Sequence, residues 1–244
     1  HIPEYQLWKS LRYVDTIDRM FRRHGNILTL LLLLLWTAPF ESRADGFLAI
    51  EVWCELEPIV YDQNAHFPLT EEEAYRRMFE EARQIFSGMI YGYSFTYIPG
   101  DRARGVKEEF ILEPVAMIEW GDPNLTLIQR TYENNRFYGR FTYELAGFQE
   151  KRIASWRTIA IPTDSGKGEG QLILGLEGKR LSRVQAVKYA VRNLLRPALL
   201  NKPREVRGRV LLLEGPETVM HAGMYITNVK VKIDVTDVVP YRVY

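Results

Sequence analysis

Few residues in this chain stand at spacings that do chemistry. Of its four histidines, only His66 and His221 lie beyond residue 44, in unrelated segments. A zinc or iron site needs several His, Cys or carboxylate ligands grouped at short spacing, so no metal site is expected. Cys54 is the single cysteine. It has no intrachain disulfide partner, and no His or cation close in sequence stabilises a thiolate, so beside Val52, Trp53 and Leu56 it reads as a packed strand residue. No G-x-S-x-G nucleophile elbow occurs. The acidic pairs Glu55/Glu57 and Glu108/Glu109 would act as acid and base only if two carboxylates faced each other across a cleft; on strands such charges more often keep an edge from pairing. The run Gly166-Lys167-Gly168 lacks the GxxxxGK-Ser/Thr order of a phosphate loop, and a strand rather than a helix is expected after it. Arg102 and Arg104, in the stretch YIPGDRARG (97–105), belong to a hairpin-like connection. The expectation is no catalytic residue, no cofactor and no metal.

Aromatic density does rise above background: Trp120, Tyr132, Phe137, Tyr138, Phe141, Tyr143 and Trp156 fall within residues 120–156. Core packing accounts for part of this. Strand alternation puts Tyr138 on the face opposite Phe137 and Phe141, and aromatic side chains on a surface mark interfaces. Trp120, Tyr138 and Trp156 are therefore the candidate interface or ligand-stacking residues.

Two segments read as helices that would position these groups. In TEEEAYRRMFEEARQIFSG, Thr70 caps with Glu73 three residues on, and Gly88 is a stop signal. Ala74, Met78, Ala82, Ile85 and Met89 form one apolar stripe, and the charges at residues 72–73, 76–77 and 80–81 make a solvated opposite face. In SRVQAVKYAVRNLLRPALL, Ser182 and Gln185 repeat the capping pattern, and Val184, Val187, Val191, Leu194 and Leu195 make the stripe. Pro197 ends or kinks that helix. The segments GFLAIEVWCELEPIV and GQLILGLEG precede the helices as strands. EEFILEPVAMIEW and RFYGRFTYELAGF follow the first helix, and VRGRVLLLEG and MYITNVKVKIDV the second. The chain parses as α+β: two β-α-β-β units, 45–162 and 171–244, each a short antiparallel sheet covered by one helix, joined by a polar, glycine-rich linker at 163–170.

The compartment is read from MFRRHGNILTLLLLLLWTAPFESRADGF. Basic residues Arg22 and Arg23, an apolar run from Ile27 to Trp36 and small residues at Ser42 and Ala44 make a secretory signal over 20–44, cleaved after Ala44. The apolar run is about half of the ~20 residues that span a bilayer core. Residues 1–19 are read as an upstream extension. The full chain carries a net charge of +1. Residues 1–44 hold six basic and four acidic side chains, so the remainder is near −1 and shows no basic footprint for nucleic acid. Export without disulfides fits a bacterial envelope, and the expected location is the periplasm.

The order EGQLILGLEGKRLSRVQAVKYAVRNLLRPALL, REVRGRVLLLEG, GMYITNVKVKIDV, over about 167–236, resembles the envelope module of FlgP-type outer-membrane lipoproteins and of the N-terminal domain of FlgT. That resemblance implies a strand, an Ala-rich helix and two further strands, and a non-enzymatic role in an envelope assembly, flagellum-associated in those proteins. The chain departs from them in lacking a lipidated cysteine after the apolar run. The expectation is a periplasmic structural or assembly subunit whose partners are envelope or flagellar proteins, including further copies of itself. The competing expectation is a periplasmic protein that binds a glycan or small ligand in a cleft lined by Trp120 or Trp156.

Overall fold

Thr70 starts the first helix. Its hydroxyl accepts from the Glu73 amide while the Glu73 carboxylate accepts from the Thr70 amide at 2.9 Å, satisfying two donors that a helix start leaves open. In the computed structural model, which describes residues 46–57, 68–195 and 203–241, this helix α1 runs Glu71–Ile90. It continues past Gly88, and Gly92, at φ +73°, makes the turn instead. The six residues from Ile85 to Ile90 are all buried. A helix end apolar on every side must be covered on every side, and here two sheets cover it.

The first sheet has the order β1 (Phe47–Glu55), β5 (Arg136–Glu144), β4 (Leu125–Glu133), all antiparallel. Phe137, Phe141 and Tyr143 share one face of β5 and pack their rings on Tyr75, Phe79 and Phe86 of α1. The second sheet has the order β3 (Glu109–Pro114), β2 (Tyr93–Ile98), β7 (Glu205–Leu212), β9 (Met224–Val239), β6 (Thr163–Gln171), with β8 (Glu217–His221) also pairing β9. Helix α2 (Gly147–Ser155) follows β5, and α3 (Gly175–Leu195) lies along β6 and β9 after a short 3₁₀ turn at Leu172–Leu174. Ile50, Val52 and Phe141 of the first sheet share one core with Val210, Val231 and Ile233 of the second.

The α+β class and the antiparallel sheets are as the sequence leads one to expect, but the strands sort differently. Ser94 on β2 pairs with Arg209 on β7, so a hairpin from the first expected unit joins strands of the second in one sheet. The segment 163–170 is strand β6, not a linker. Its glycines look like a flexible tether, yet Gly166, Gly168 and Gly170 alternate toward α3, where a Cβ would overlap the carbonyl oxygens of Ala186, Ser182 and Gly178. On the helix side, Gly178, Ser182, Ala186 and Ala190 recur every four residues and are all buried. Backbone meets backbone along this seam. Helix α3 accordingly begins at Gly175, inside the segment expected as a strand. Ser182 is interior rather than a cap, its Oγ bonding the Lys179 carbonyl at 2.7 Å. The signal read at 20–44 and the extension at 1–19 lie outside the described residues.

Gly168→Ala is expected to cost about 3 kcal/mol or more, because neither backbone can recede from the other without breaking its own ladder. Gly147→Ala, where an added Cβ meets nothing within 4 Å, is expected to be neutral or slightly stabilising. Urea midpoints for the two variants check this, and equal midpoints would remove the seam from the account.

Candidate functional site

Starting α3 at Gly175 places Lys179 and Arg183 one turn apart, facing α1. Opposite them Glu81 is 5% exposed, although the charge pattern of α1 assigns it to solvent. Its Oε2 accepts from Lys179 Nζ at 2.8 Å and its Oε1 accepts from Arg183 Nη1. Arg183 Nη2 donates to Gln84 Oε1 at 3.1 Å. Lys179 Nζ also donates to the Trp53 carbonyl at 2.8 Å and sits 4.0 Å from the centre of the Trp53 ring. One carboxylate therefore serves two cations in a water-poor place. Burial pushes the Lys179 ammonium below its ordinary pKa, and Glu81 opposes that shift. Burial likewise raises the Cys54 thiol to about 11, which leaves it protonated and inert at neutral pH.

Polar contacts extend this cluster along β8 and β9. Trp53 Nε1 donates to the Thr218 carbonyl at 3.2 Å, and its ring lies 6.2 Å from that of Tyr225. Tyr225 donates to Glu55 Oε2 at 2.9 Å; burial and the Glu55 charge raise the phenol's pKa. Ser182, Thr227 and Thr218 form a hydroxyl chain at 2.6 and 2.8 Å. Beside the cluster, a cavity of about 220 Å³ opens between α1, α3 and the second sheet. Its walls include Ile85, Leu112, Met117, Val187, Leu212 and Val229, and its polar groups are Gln84, Tyr93, Arg180 and Arg183.

The three aromatic candidates do not meet here. Trp120 is 58% exposed in the connection between β3 and β4. Tyr138 is half-buried on β5, paired with Trp53 on β1 and Thr131 on β4. Trp156, expected at an interface or ligand cleft, is instead buried: it is 5% exposed, with the Arg209 guanidinium 5.8 Å from its ring centre. No ring contact joins the three among the described residues. The acidic pairs do not face each other either. Glu55 serves Tyr225 while Glu57 is exposed, and Glu108 accepts from Tyr97 at 2.8 Å and Lys188 at 3.0 Å while Glu109 is exposed. Burial would raise the Glu108 pKa, but these donors outweigh it and hold it low. His66 lies outside the described residues, and His221 is exposed at the end of β8. Among the described residues no cluster of three or more His, Cys, Asp or Glu is placed to hold a metal ion, and no helix is long and apolar enough to cross a membrane.

Sequence reasoning missed Glu81, Lys179 and Arg183. The signal was the four-residue spacing of Lys179 and Arg183, visible only once the helix is started before Ser182.

The chain belongs to a protein family whose model matches its residues 37–241. It is similar to an uncharacterized protein of Treponema pallidum (strain Nichols), 26% identical over 199 residues, which cover 81% of this chain and 83% of that protein. No solved structure matches it.

Glu81→Gln leaves the buried Lys179 ammonium and the largely covered Arg183 guanidinium without a counter-charge and is expected to cost about 3–5 kcal/mol. Lys179→Met keeps the Glu81–Arg183 pair but removes the donor to the Trp53 carbonyl and to Glu81 Oε2, so it is expected to cost less than Glu81→Gln, about 1–3 kcal/mol. Chemical denaturation of both variants checks the order, and the reverse order would mean that Lys179, not Glu81, carries the cluster. For Cys54, a thiol at about 11 is roughly one part in a thousand thiolate at pH 8. Iodoacetamide labelling of the native protein at pH 8 is therefore expected about two orders of magnitude slower than for an ordinary thiol. The rate should rise tenfold per pH unit toward pH 11, and mass spectrometry of timed samples reads both.

Proposed function

We propose that this chain is a non-enzymatic, exported subunit of an assembly in a bacterial cell envelope, located in the periplasm, whose copies join through the free edge of β4. The observation that carries the reading is that edge. Among the described residues the first sheet ends at β4, and from Gln129 to Glu133 every β4 residue is exposed, with Tyr132 57% accessible. A register shift at Ile128 interrupts the ladder with β5, so Gln129–Glu133 is the stretch available for pairing.

The occupant that fits is a second copy. Antiparallel pairing about Thr131 sets Gln129 against Glu133, Arg130 against Tyr132 and Thr131 against itself. This is a self-complementary set of the kind a two-fold interface requires. The other edge of the same sheet is less available, because Lys179 and Trp53 engage each other and Thr218 along β1. The signal read at 20–44 supports the location. The likeness of residues 167–236 to the FlgP-type and FlgT module supports an envelope assembly, flagellum-associated, with envelope or flagellar proteins as further partners.

The test is the mass of the chain from Asp45 onward by light scattering across a concentration series. A concentration-dependent dimer is expected. Thr131→Lys, which places like charges face to face on the two-fold axis, is expected to return it to monomer with an unchanged melting temperature. A strict monomer at the highest concentration, or an oligomer indifferent to Thr131→Lys, would overturn the β4 reading.

A further inference from the structure

The cavity beside the buried ion cluster combines three properties that point to one class of ligand. Its walls are apolar and contributed by both helices and the sheet. Three of its polar groups, Gln84, Arg180 and Arg183, lie together on α1 and α3, and the Tyr93 hydroxyl from β2 donates to the Gln84 carbonyl at 3.4 Å. The charge behind it does not balance among the described residues, where Glu81 is the one carboxylate that answers both Lys179 and Arg183, whose side chains are 6% and 12% exposed. Of the five N–H donors of the Arg183 guanidinium, one meets Glu81 and one meets Gln84. Arg180 is held at the surface by Glu177, at 2.6 and 2.8 Å, with its side chain 48% exposed. A buried cation in excess is costly unless an anion joins it. An apolar pocket with a few convergent polar groups is the usual form of a small-molecule site.

We propose that this cavity binds a medium-chain carboxylate, with the carboxylate on Arg183 and the hydrocarbon tail among Ile85, Leu112, Met117, Val187, Leu212 and Val229. Volume sets the tail length. An apolar cavity of about 150 Å³ holds benzene, so one of about 220 Å³ holds a chain of roughly six to eight carbons. The carboxylate is preferred to a neutral head because a hydrogen bond to a charged group is worth more than a neutral one, and here it also balances the cluster. No β4 residue lines the cavity, so this site stands or falls apart from the edge-to-edge reading.

Calorimetric titration of the protein with butanoate, hexanoate, octanoate and decanoate tests the proposal, with 1-octanol as the neutral isostere. Affinity is expected to rise about fourfold per methylene up to octanoate and then level off. 1-Octanol is expected to bind at least about tenfold more weakly than octanoate. Leu112→Trp adds bulk to the cavity wall from a half-buried position on β3, away from the residues of the ion cluster. It is expected to abolish octanoate binding while the unliganded melting temperature stays within a few degrees. Equal affinity for octanol and octanoate, affinity that climbs through decanoate without levelling, octanoate binding unaffected by Leu112→Trp, or no heat up to millimolar octanoate would each overturn it. Light scattering on the same samples reads the oligomer separately.

Discussion

The approach of α3 to β6 constrains everything around it. Three glycines on the strand and the Gly178-Ser182-Ala186-Ala190 row on the helix bring two backbones together with almost no side chain between them. Helices normally ride on sheets over a layer of Val, Ile and Leu side chains. With that layer absent on one side, α3 lies close against β6, and another of its faces meets α1. That face carries Lys179 and Arg183, so the glycine seam and the ion cluster fix the same helix from two sides.

The same constraint explains why a charged group is tolerated on a helix as enclosed as α1. Glu81 precedes the fully buried run Ile85–Ile90 by one turn and sits where the first sheet, α1 and α3 converge. Replacing such a triad by apolar groups of equal volume is often neutral or stabilising in other proteins, so the cluster is weak evidence for stability as such. Its geometric effect is stronger. Lys179 ties α3 to the backbone of β1 through the Trp53 carbonyl and to α1 through Glu81, so one ammonium sets three elements relative to one another. An apolar side chain at 179 would fill the same space without specifying that register.

Legibility in the sequence followed locality. The capping box at Thr70, the stripe Ala74-Met78-Ala82-Ile85-Met89 and the strand at 224–235, which the structure extends to Val239, depend on neighbours a few residues away, and all are readable. Gly166, Gly168 and Gly170 were read as a linker because glycine has the same local meaning in a tether and in a strand crowded by a helix. Only the matching four-residue row of small residues on α3 tells the two apart, and that comparison spans different elements. Starting α3 at Ser182 was a local error with a long reach, since the Ser182/Gln185 pair imitates a cap inside a continuing helix. It removed Lys179 from the helix and with it the pairing to Glu81. Trp156 failed for another reason: its burial comes from the far face of the second sheet, where Arg209 lies over the ring and Lys232 bonds the carbonyls of Thr158 and Ile161.

The two proposed uses of the molecule draw on opposite treatments of its polar groups. Along β4 the backbone is left open and its side chains exposed, so another chain can supply the missing ladder at little desolvation cost. Around Glu81 the polar groups are enclosed and almost satisfied, short by one negative charge. An edge of the first kind selects a strand by register. A site of the second kind selects a small anion by charge and length, because an apolar pocket alone separates ligands poorly, whereas an unanswered buried cation penalises every neutral occupant. Lys179 joins the cluster to β1, which pairs with β5, and β5 with β4, so both sites are attached to one three-stranded sheet while drawing on different residues.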